Sequence, residues 1–116
     1  MPRELYLLTS EPVRFQALVA AAAEVDDSLL LRGLYGGAAL QLVGAEDRAV
    51  LTIENSRLLA DPFDARRVTR GLDVGEAEVW WTEAVVPWGA AGDPGVAVVE
   101  GLARLLGGRL RVEDGR

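Results

Sequence analysis

Residues 29–54, LLLRGLYGGAALQLVGAEDRAVLTIE, decide the fold of this chain. Two apolar runs, 29–35 and 38–43, flank the dipeptide Gly36-Gly37. Because glycine readily adopts the positive φ angles of a tight turn, this pattern predicts an antiparallel hairpin. A second turn signal at 44–47 leads into a third predicted strand, 49–54. The three segments therefore predict an antiparallel meander.

Strand and helix signals alternate on both sides of the meander. Residues 5–8 predict a strand, and Ser10 and Pro12 are typical of the start of a helix over 11–25. Residues 77–86 predict a strand, and Asp93 and Pro94 predict a second helix with Asp93 as its cap, closed by Gly107-Gly108 and followed by a strand at 109–112. The apolar stripes predicted to face the core are Phe15, Leu18, Val19 and Ala22 in the first helix and Val96, Val99, Leu102, Leu105 and Leu106 in the second.

The element order β-α-β-β-β-β-α-β predicts an α+β fold. Its mostly antiparallel sheet and two apolar helix faces favour a two-layer sandwich with both helices on one face of the sheet, in a single domain over 1–116. The order resembles the ferredoxin-like plan enlarged by an extra hairpin, and this resemblance of element order carries no function. Residues 55–75 have weak periodicity and predict a long connection with a short helical turn.

The composition restricts the chemistry that this chain can perform. The 116 residues include 12 basic residues, all of them arginine, and no lysine, histidine or cysteine. Thiol chemistry, Schiff bases and histidine general bases are therefore excluded, and zinc sites lose their usual ligands. The sequence predicts a protein that is not an enzyme and that holds no cofactor or metal.

The charge balance limits the class of partner. Eighteen acidic residues against 12 arginines give a net charge of -6. This balance disfavours nucleic acid and anionic membranes and attracts basic proteins. The sequence shows no secretory signal and no apolar run of membrane length, so we expect a cytoplasmic protein. The bias toward Ala, Gly, Val, Leu and Arg indicates a GC-rich bacterial genome.

Three tryptophans, Trp80, Trp81 and Trp88, lie within nine positions. Neighbouring residues of a strand point to opposite faces, and we assign Trp81 to the core side and Trp80 to the exposed face that it shares with Glu76 and Glu78. An exposed indole among acids suits a cationic partner through charge and cation–π contact. The alternative is an ordinary solvated strand face, or a ring covered by Phe63 or Leu72. The core side under this assignment comprises Val79, Trp81, Glu83 and Val85.

Other motifs have simpler structural explanations. Gly89-x-x-Gly92-x-x-Gly95 resembles a phosphate loop but lacks its lysine, and Pro94 and Asp93 oppose an anion there. Asp61-x-x-Asp64 matches turn composition better than a magnesium site. The basic cluster at 66–70 is explained by pairing with surplus acids. A carboxylate mechanism stays chemically open, with candidates Glu78, Glu83, Asp61 and Asp64.

These observations predict a small non-enzymatic interaction domain that binds a protein partner or a second copy of itself. The first alternative is an immunity or inhibitor-type protein that binds a basic enzyme. The second is a ligand-binding protein or carboxylate enzyme with a pocket between the sheet and residues 55–75, using Tyr6 or Tyr35. We expect a homodimer through the sheet, because consecutive apolar residues of the meander point to both faces and one helical layer covers only one of them.

Overall fold

The structure is a computed structural model, and it describes residues 2–59 and 79–113. Within these residues it has two helices and seven strands, which confirms the predicted α+β class with its antiparallel sheet. Of the connection at 55–75, in which a short helical turn was predicted, only residues 55–59 are described. The predicted start of the next strand at 77 lies outside the described residues. The elements are β1 (Arg3–Thr9), α1 (Phe15–Val25), β2 (Leu30–Leu34), β3 (Ala39–Val43), β4 (Ala49–Glu54), β5 (Arg57–Leu59), β6 (Val79–Val86), α2 (Asp93–Leu106) and β7 (Arg109–Glu113).

The sheet has β4 and β6 at its centre, and β1 lies between β6 and the edge strand β7. The strand order is β2-β3-β4-β6-β1-β7, and β5 continues the line of β4 by pairing with the first half of β6. All of these pairings are antiparallel. The unit β1-α1-β4 therefore encloses β6, and the unit β6-α2-β7 encloses β1. This interleaving is the ferredoxin-like arrangement, with the β2–β3 hairpin added at the β4 edge.

The predicted hairpin turn is confirmed. Residues 35–37 form the connection between β2 and β3, with φ of 67° at Gly36 and 98° at Gly37. Both values lie in the left-handed region that side chains rarely adopt, so glycine is needed at both positions. The left-handed end of α2 at Gly107, with φ of 63°, is also as predicted.

The main core lies between the two helices and one face of the sheet. Leu5 and Leu7 of β1 and Leu51 of β4 are buried against Leu18 of α1 and Leu102 of α2. The meander contributes the apolar side chains of its helix-facing side: Leu29, Leu31, Leu40, Leu42, Val50, Leu51 and Ile53 all lie in or against this core.

The predicted helix stripes are partly wrong. In α1 the buried residues are Leu18, Ala21 and Ala22, whereas Phe15 and Val19 are exposed. In α2 Leu105 is exposed although Val99 and Leu102 are fully buried. The reason is that the helices pack against each other as well as on the sheet: the Cβ of Ala21 faces Gly101 of α2, and this contact turns α1.

The predicted start of α1 is also wrong. The helix begins at Phe15, and Ser10 does not cap it. Residues before it are held by tertiary contacts, because the backbone N–H of Val13 donates to Ser56 Oγ at 2.9 Å and Thr9 Oγ1 donates to the carbonyl oxygen of Glu11. Ser56 Oγ in turn bonds the buried Thr82 Oγ1 at 2.7 Å. These bonds tie the entrance of α1 to the sheet.

Candidate functional site

The helix-free face of the sheet carries its own small cluster. Leu8, Val79 and Trp81 are buried together there, apart from the main core, with Tyr6 and Leu59 packed against them. Trp81 is only 7% exposed. Alternation along β6 therefore places Glu83 on this face too, because it is two residues from Trp81.

The predicted assignment of the two faces of β6 is wrong. The main core takes the other set, with Ala84 and Val86 buried under the helices. Trp80 shares that helix-bearing side and is half-buried, so it is not the exposed ring. Alternation determines which residues of β6 share a face but not which face meets the helices, and the fold turns Ala84 and Val86 toward them.

An acidic concavity opens on the helix-free face. Its volume is about 150 Å³. It takes one carboxylate from each of three neighbouring strands, Glu4 of β1, Glu54 of β4 and Glu83 of β6, with Tyr6 beside them. The remaining lining residues are Thr52, Ala84 and Val85.

Strand pairing brings these side chains together. Glu4 and Tyr6 of β1 lie opposite Val85 and Glu83 of β6. Thr52 of β4 lies opposite Val85 on the other side of β6. Because side chains of directly paired residues are neighbours on the same face, three strands deliver their polar groups to one point.

The surroundings of Glu83 in the acidic concavity change its pKa. Burial, followed by a hydrogen bond with Glu54, raises the pKa of Glu83 above its ordinary value, and the charges of Glu54 and Glu4 act in the same direction. The positive charge of Arg57 opposes this rise in the pKa. The raised pKa means that negative charge on Glu83 is disfavoured in this surrounding, and a nearby cation would relieve it.

Tyr6 is held as a hydrogen-bond donor. Its hydroxyl donates to Glu4 Oε2 at 2.7 Å. This bond, with burial and the nearby negative charges, raises the pKa of Tyr6 to about 12. The phenol is therefore neutral at physiological pH and serves to orient Glu4 rather than to act as a base.

Aromatic and cationic groups border the acidic concavity. The rings of Tyr6 and Trp81 meet edge to face with centroids 5.8 Å apart. The guanidinium of Arg57 lies over the Trp81 ring, 5.5 Å from its centroid. Its Nη2 is 3.6 Å from Glu83 Oε1. The face thus already pairs a guanidinium with an aromatic ring and a carboxylate.

The structure brings together only some of the predicted site residues. Glu83 and Tyr6, named as possible carboxylate and tyrosine groups, line the same concavity. Trp88 lies beyond the end of β6 and is 46% exposed. Glu76 and Glu78 lie outside the described residues, as do Asp61, Asp64, Phe63, Leu72 and the arginines at 66–70.

Sequence reasoning missed Glu4, Glu54 and Arg57. Arg57 lies between Ser56 and the exposed Leu58, so no alternation marks it. Glu4 and Glu54 each lie on a strand next to a buried apolar residue, which is the alternation expected of a face without helices. That alternation was visible in the sequence, but the pairing of β1 and β4 with β6 was needed to show that the three carboxylates converge.

Packing explains the glycine-rich loop. A Cβ at Gly92 would lie 2.0 Å from the carbonyl oxygen of Pro87, and one at Gly95 would lie 2.0 Å from that of Val50. Asp93 makes no side-chain cap and instead forms an ion pair with Arg3 at 3.1 Å. The predicted capping role of Asp93 is wrong, and its carboxylate lies at the helix start where an anion would have to bind.

The described residues 2–59 and 79–113 contain no group of three ligating side chains arranged to hold a metal ion. No helix in the same part of the chain is long and apolar enough to cross a membrane. No family model matches the sequence, and neither a curated protein nor a solved structure is significantly similar to it.

Proposed function

We propose that this protein is a non-enzymatic interaction domain that binds a basic protein partner through the helix-free face of its sheet. The observation that carries this proposal is the convergence of Glu4, Glu54 and Glu83, from three strands, beside Tyr6 in one concavity. The hydrogen bond from Tyr6 restrains Glu4, so little side-chain entropy is lost there when a cation binds.

The size of the acidic concavity supports a side-chain ligand. About 150 Å³ accommodates one guanidinium or ammonium group. Sites for drug-sized molecules occupy roughly 300–1,000 Å³. A single arginine or lysine of a partner, anchored in the concavity and surrounded by weaker contacts, is the arrangement typical of an interface hot spot.

Electrostatics supports a cationic ligand. The net charge of -6 attracts a basic protein at long range. At short range, a guanidinium beside Glu83 would offset the negative charges of Glu54 and Glu4 that raise the pKa of Glu83. An immunity or inhibitor-type protein acting on a basic enzyme is the narrower form of this proposal.

Homodimerisation through the sheet stays a prediction. Most of the apolar side chains of the meander that were expected to drive it do not lie on the helix-free face. On the helix-free face, Arg32 Nε donates to Gln41 Oε1 at 2.8 Å, and Gln41 Nε2 donates to Thr52 Oγ1 at 3.0 Å. The leucines expected there mostly face the helices, and Leu30 is the strongly exposed exception. A dimer through this face would depend on polar contacts.

A second candidate function is carboxylate-based catalysis on a small cationic substrate. The observation that favours it is the raised pKa of Glu83 beside a second carboxylate, Glu54. A carboxyl group whose pKa is raised by burial and by a neighbouring carboxylate is typical of a general acid. Turnover that disappears in Glu83→Gln would support this function.

The test of the interaction proposal compares two variants with equal charge. The probe is a short peptide of alternating arginine and serine, titrated calorimetrically. Substitution of Glu4, Glu54 and Glu83 by glutamine should weaken binding at least about tenfold, because hydrogen bonds to charged groups contribute about 1.5–3 kcal/mol. The control replaces the exposed acids Glu24, Asp27 and Glu100 by their amides and should change affinity far less. Equal weakening in both variants would contradict a dedicated site.

A further inference from the structure

Arg57 lies at the rim of the acidic concavity without lining it. Pairing between β5 and β6 puts Arg57 directly opposite Trp81. Its guanidinium reaches both the Trp81 ring, at 5.5 Å from the centroid, and Glu83 Oε1, at 3.6 Å from Nη2. The side chain is nevertheless 63% exposed, so it is free to leave this position.

The contacts of Arg57 are those that a partner's arginine would make. A planar guanidinium stacks on an aromatic face and pairs with a carboxylate, and Arg57 does both at once. The Trp81 ring also makes an edge contact with the ring of Tyr6, which lines the concavity. The aromatic surface therefore runs from the guanidinium of Arg57 to the three carboxylates.

We propose that Arg57 is a built-in competitor for this site, which holds Glu83 and the Trp81 face in the free protein and is displaced when a guanidinium or ammonium group of the partner binds. This inference rests on the proposed function, because it assumes that the partner's cation enters the acidic concavity. Under this proposal Arg57 of β5 lowers the affinity of the acidic concavity for a cation, so that only a partner with further contacts displaces it.

The expected effect is modest because the pair is exposed. Removing an exposed ion pair that competes with the ligand should raise affinity by about two- to fivefold. Arg57→Gln is the variant. Arg48→Gln is the matched control, because it removes the same charge. Arg48 is exposed and pairs with Glu46 at 3.2 Å in the turn before β4.

The experiment titrates wild type, Arg57→Gln and Arg48→Gln with the arginine–serine peptide, after circular dichroism has shown that each is folded. We expect Arg57→Gln to bind more tightly than Arg48→Gln by about two- to fivefold. Equal affinity in the two variants, or weaker binding by Arg57→Gln, would overturn the inference and leave the proposed function standing. Absence of binding in all three proteins would overturn both.

A second measurement uses the free protein. Carboxyl carbon shifts in nuclear magnetic resonance spectra give the pKa of Glu83 without any peptide. Since Arg57 opposes the rise in the pKa of Glu83, Arg57→Gln should raise that pKa further while Arg48→Gln leaves it unchanged. An unchanged pKa in Arg57→Gln would show that Arg57 does not hold Glu83 and would overturn the inference.

Discussion

Glu83 is a partly buried carboxylate whose folded-state pKa is raised above the ordinary value of 4.5. At low pH both the folded and the unfolded chain bind its proton, so it does not affect stability. As pH rises above 4.5, the unfolded chain releases the proton before the folded chain does, and the free energy of unfolding falls until the raised pKa is passed. Glu83 therefore destabilises the fold at neutral pH.

Glu83→Gln should raise the free energy of unfolding at pH 7, by less than about 1 kcal/mol since the side chain is partly exposed and loses its pairing with Arg57. The gain should shrink toward pH 4. Urea unfolding at several pH values measures it, with the exposed Glu100→Gln as control. A Glu83→Gln protein that is less stable than wild type at pH 7 would contradict the electrostatic account.

The residues of the site differ in how far the sequence could reveal them. Glu83 and Tyr6 were recognisable as candidates from chemistry, because carboxylates and tyrosines are the proton-exchanging groups that remain in a chain without histidine, cysteine and lysine. Glu4 and Glu54 resemble ordinary acids at strand ends. Only strand pairing makes them neighbours, and pairing is a non-local property.

The glycines of α2 have two different roles, which a pair of alanine substitutions distinguishes. A Cβ at Gly95 would meet the carbonyl oxygen of Val50 at 2.0 Å and Val86 Cγ1 at 2.6 Å, whereas a Cβ at Gly101 would lie 3.6 Å from that of Ala21. Gly95→Ala must push α2 away from the sheet and should cost about 3 kcal/mol. Gly101→Ala fits and gains up to about 1 kcal/mol of helix propensity.

Urea midpoints of the two variants measure this difference. We expect Gly95→Ala to be strongly destabilised and Gly101→Ala to match or exceed wild type. Similar midpoints for both would mean that α2 does not approach β4 as closely as the structure has it.

Local signals predicted most elements, and tertiary contacts caused the errors. The residues of β4 and the Gly36-Gly37 turn follow from strand and turn chemistry. The first helix starts late because Val13 bonds Ser56, which lies 43 residues away in the sequence. The short strand β5 has three residues and no strong pattern, and it exists because β6 offers it an edge.

At the scale of the whole molecule, the two faces of the sheet have different chemistry. One face is closed by both helices over the main core. The other, in the part of the chain that the structure describes, combines a small aromatic cluster with the acidic concavity. A shift of one residue in strand register exchanges the faces, which is why the sequence could not assign Trp80 and Trp81 correctly.

The helix layer offers a rival surface for binding. Phe15 and Val19 of α1 and Leu105 of α2 are 57%, 43% and 58% exposed. A partner that bound there would do so by apolar contact and would respond weakly to salt, whereas binding at the acidic concavity would weaken as ionic strength rises. The location of the contact therefore decides between the two accounts.

Backbone amide shifts, recorded while labelled protein is titrated with the arginine–serine peptide, test the central claim most directly. The account predicts that the largest changes fall on Tyr6 of β1, Glu54 of β4 and Glu83 of β6, and that they diminish with added salt. Changes concentrated on Phe15, Val19 and Leu105, or no changes at saturating peptide, would contradict it.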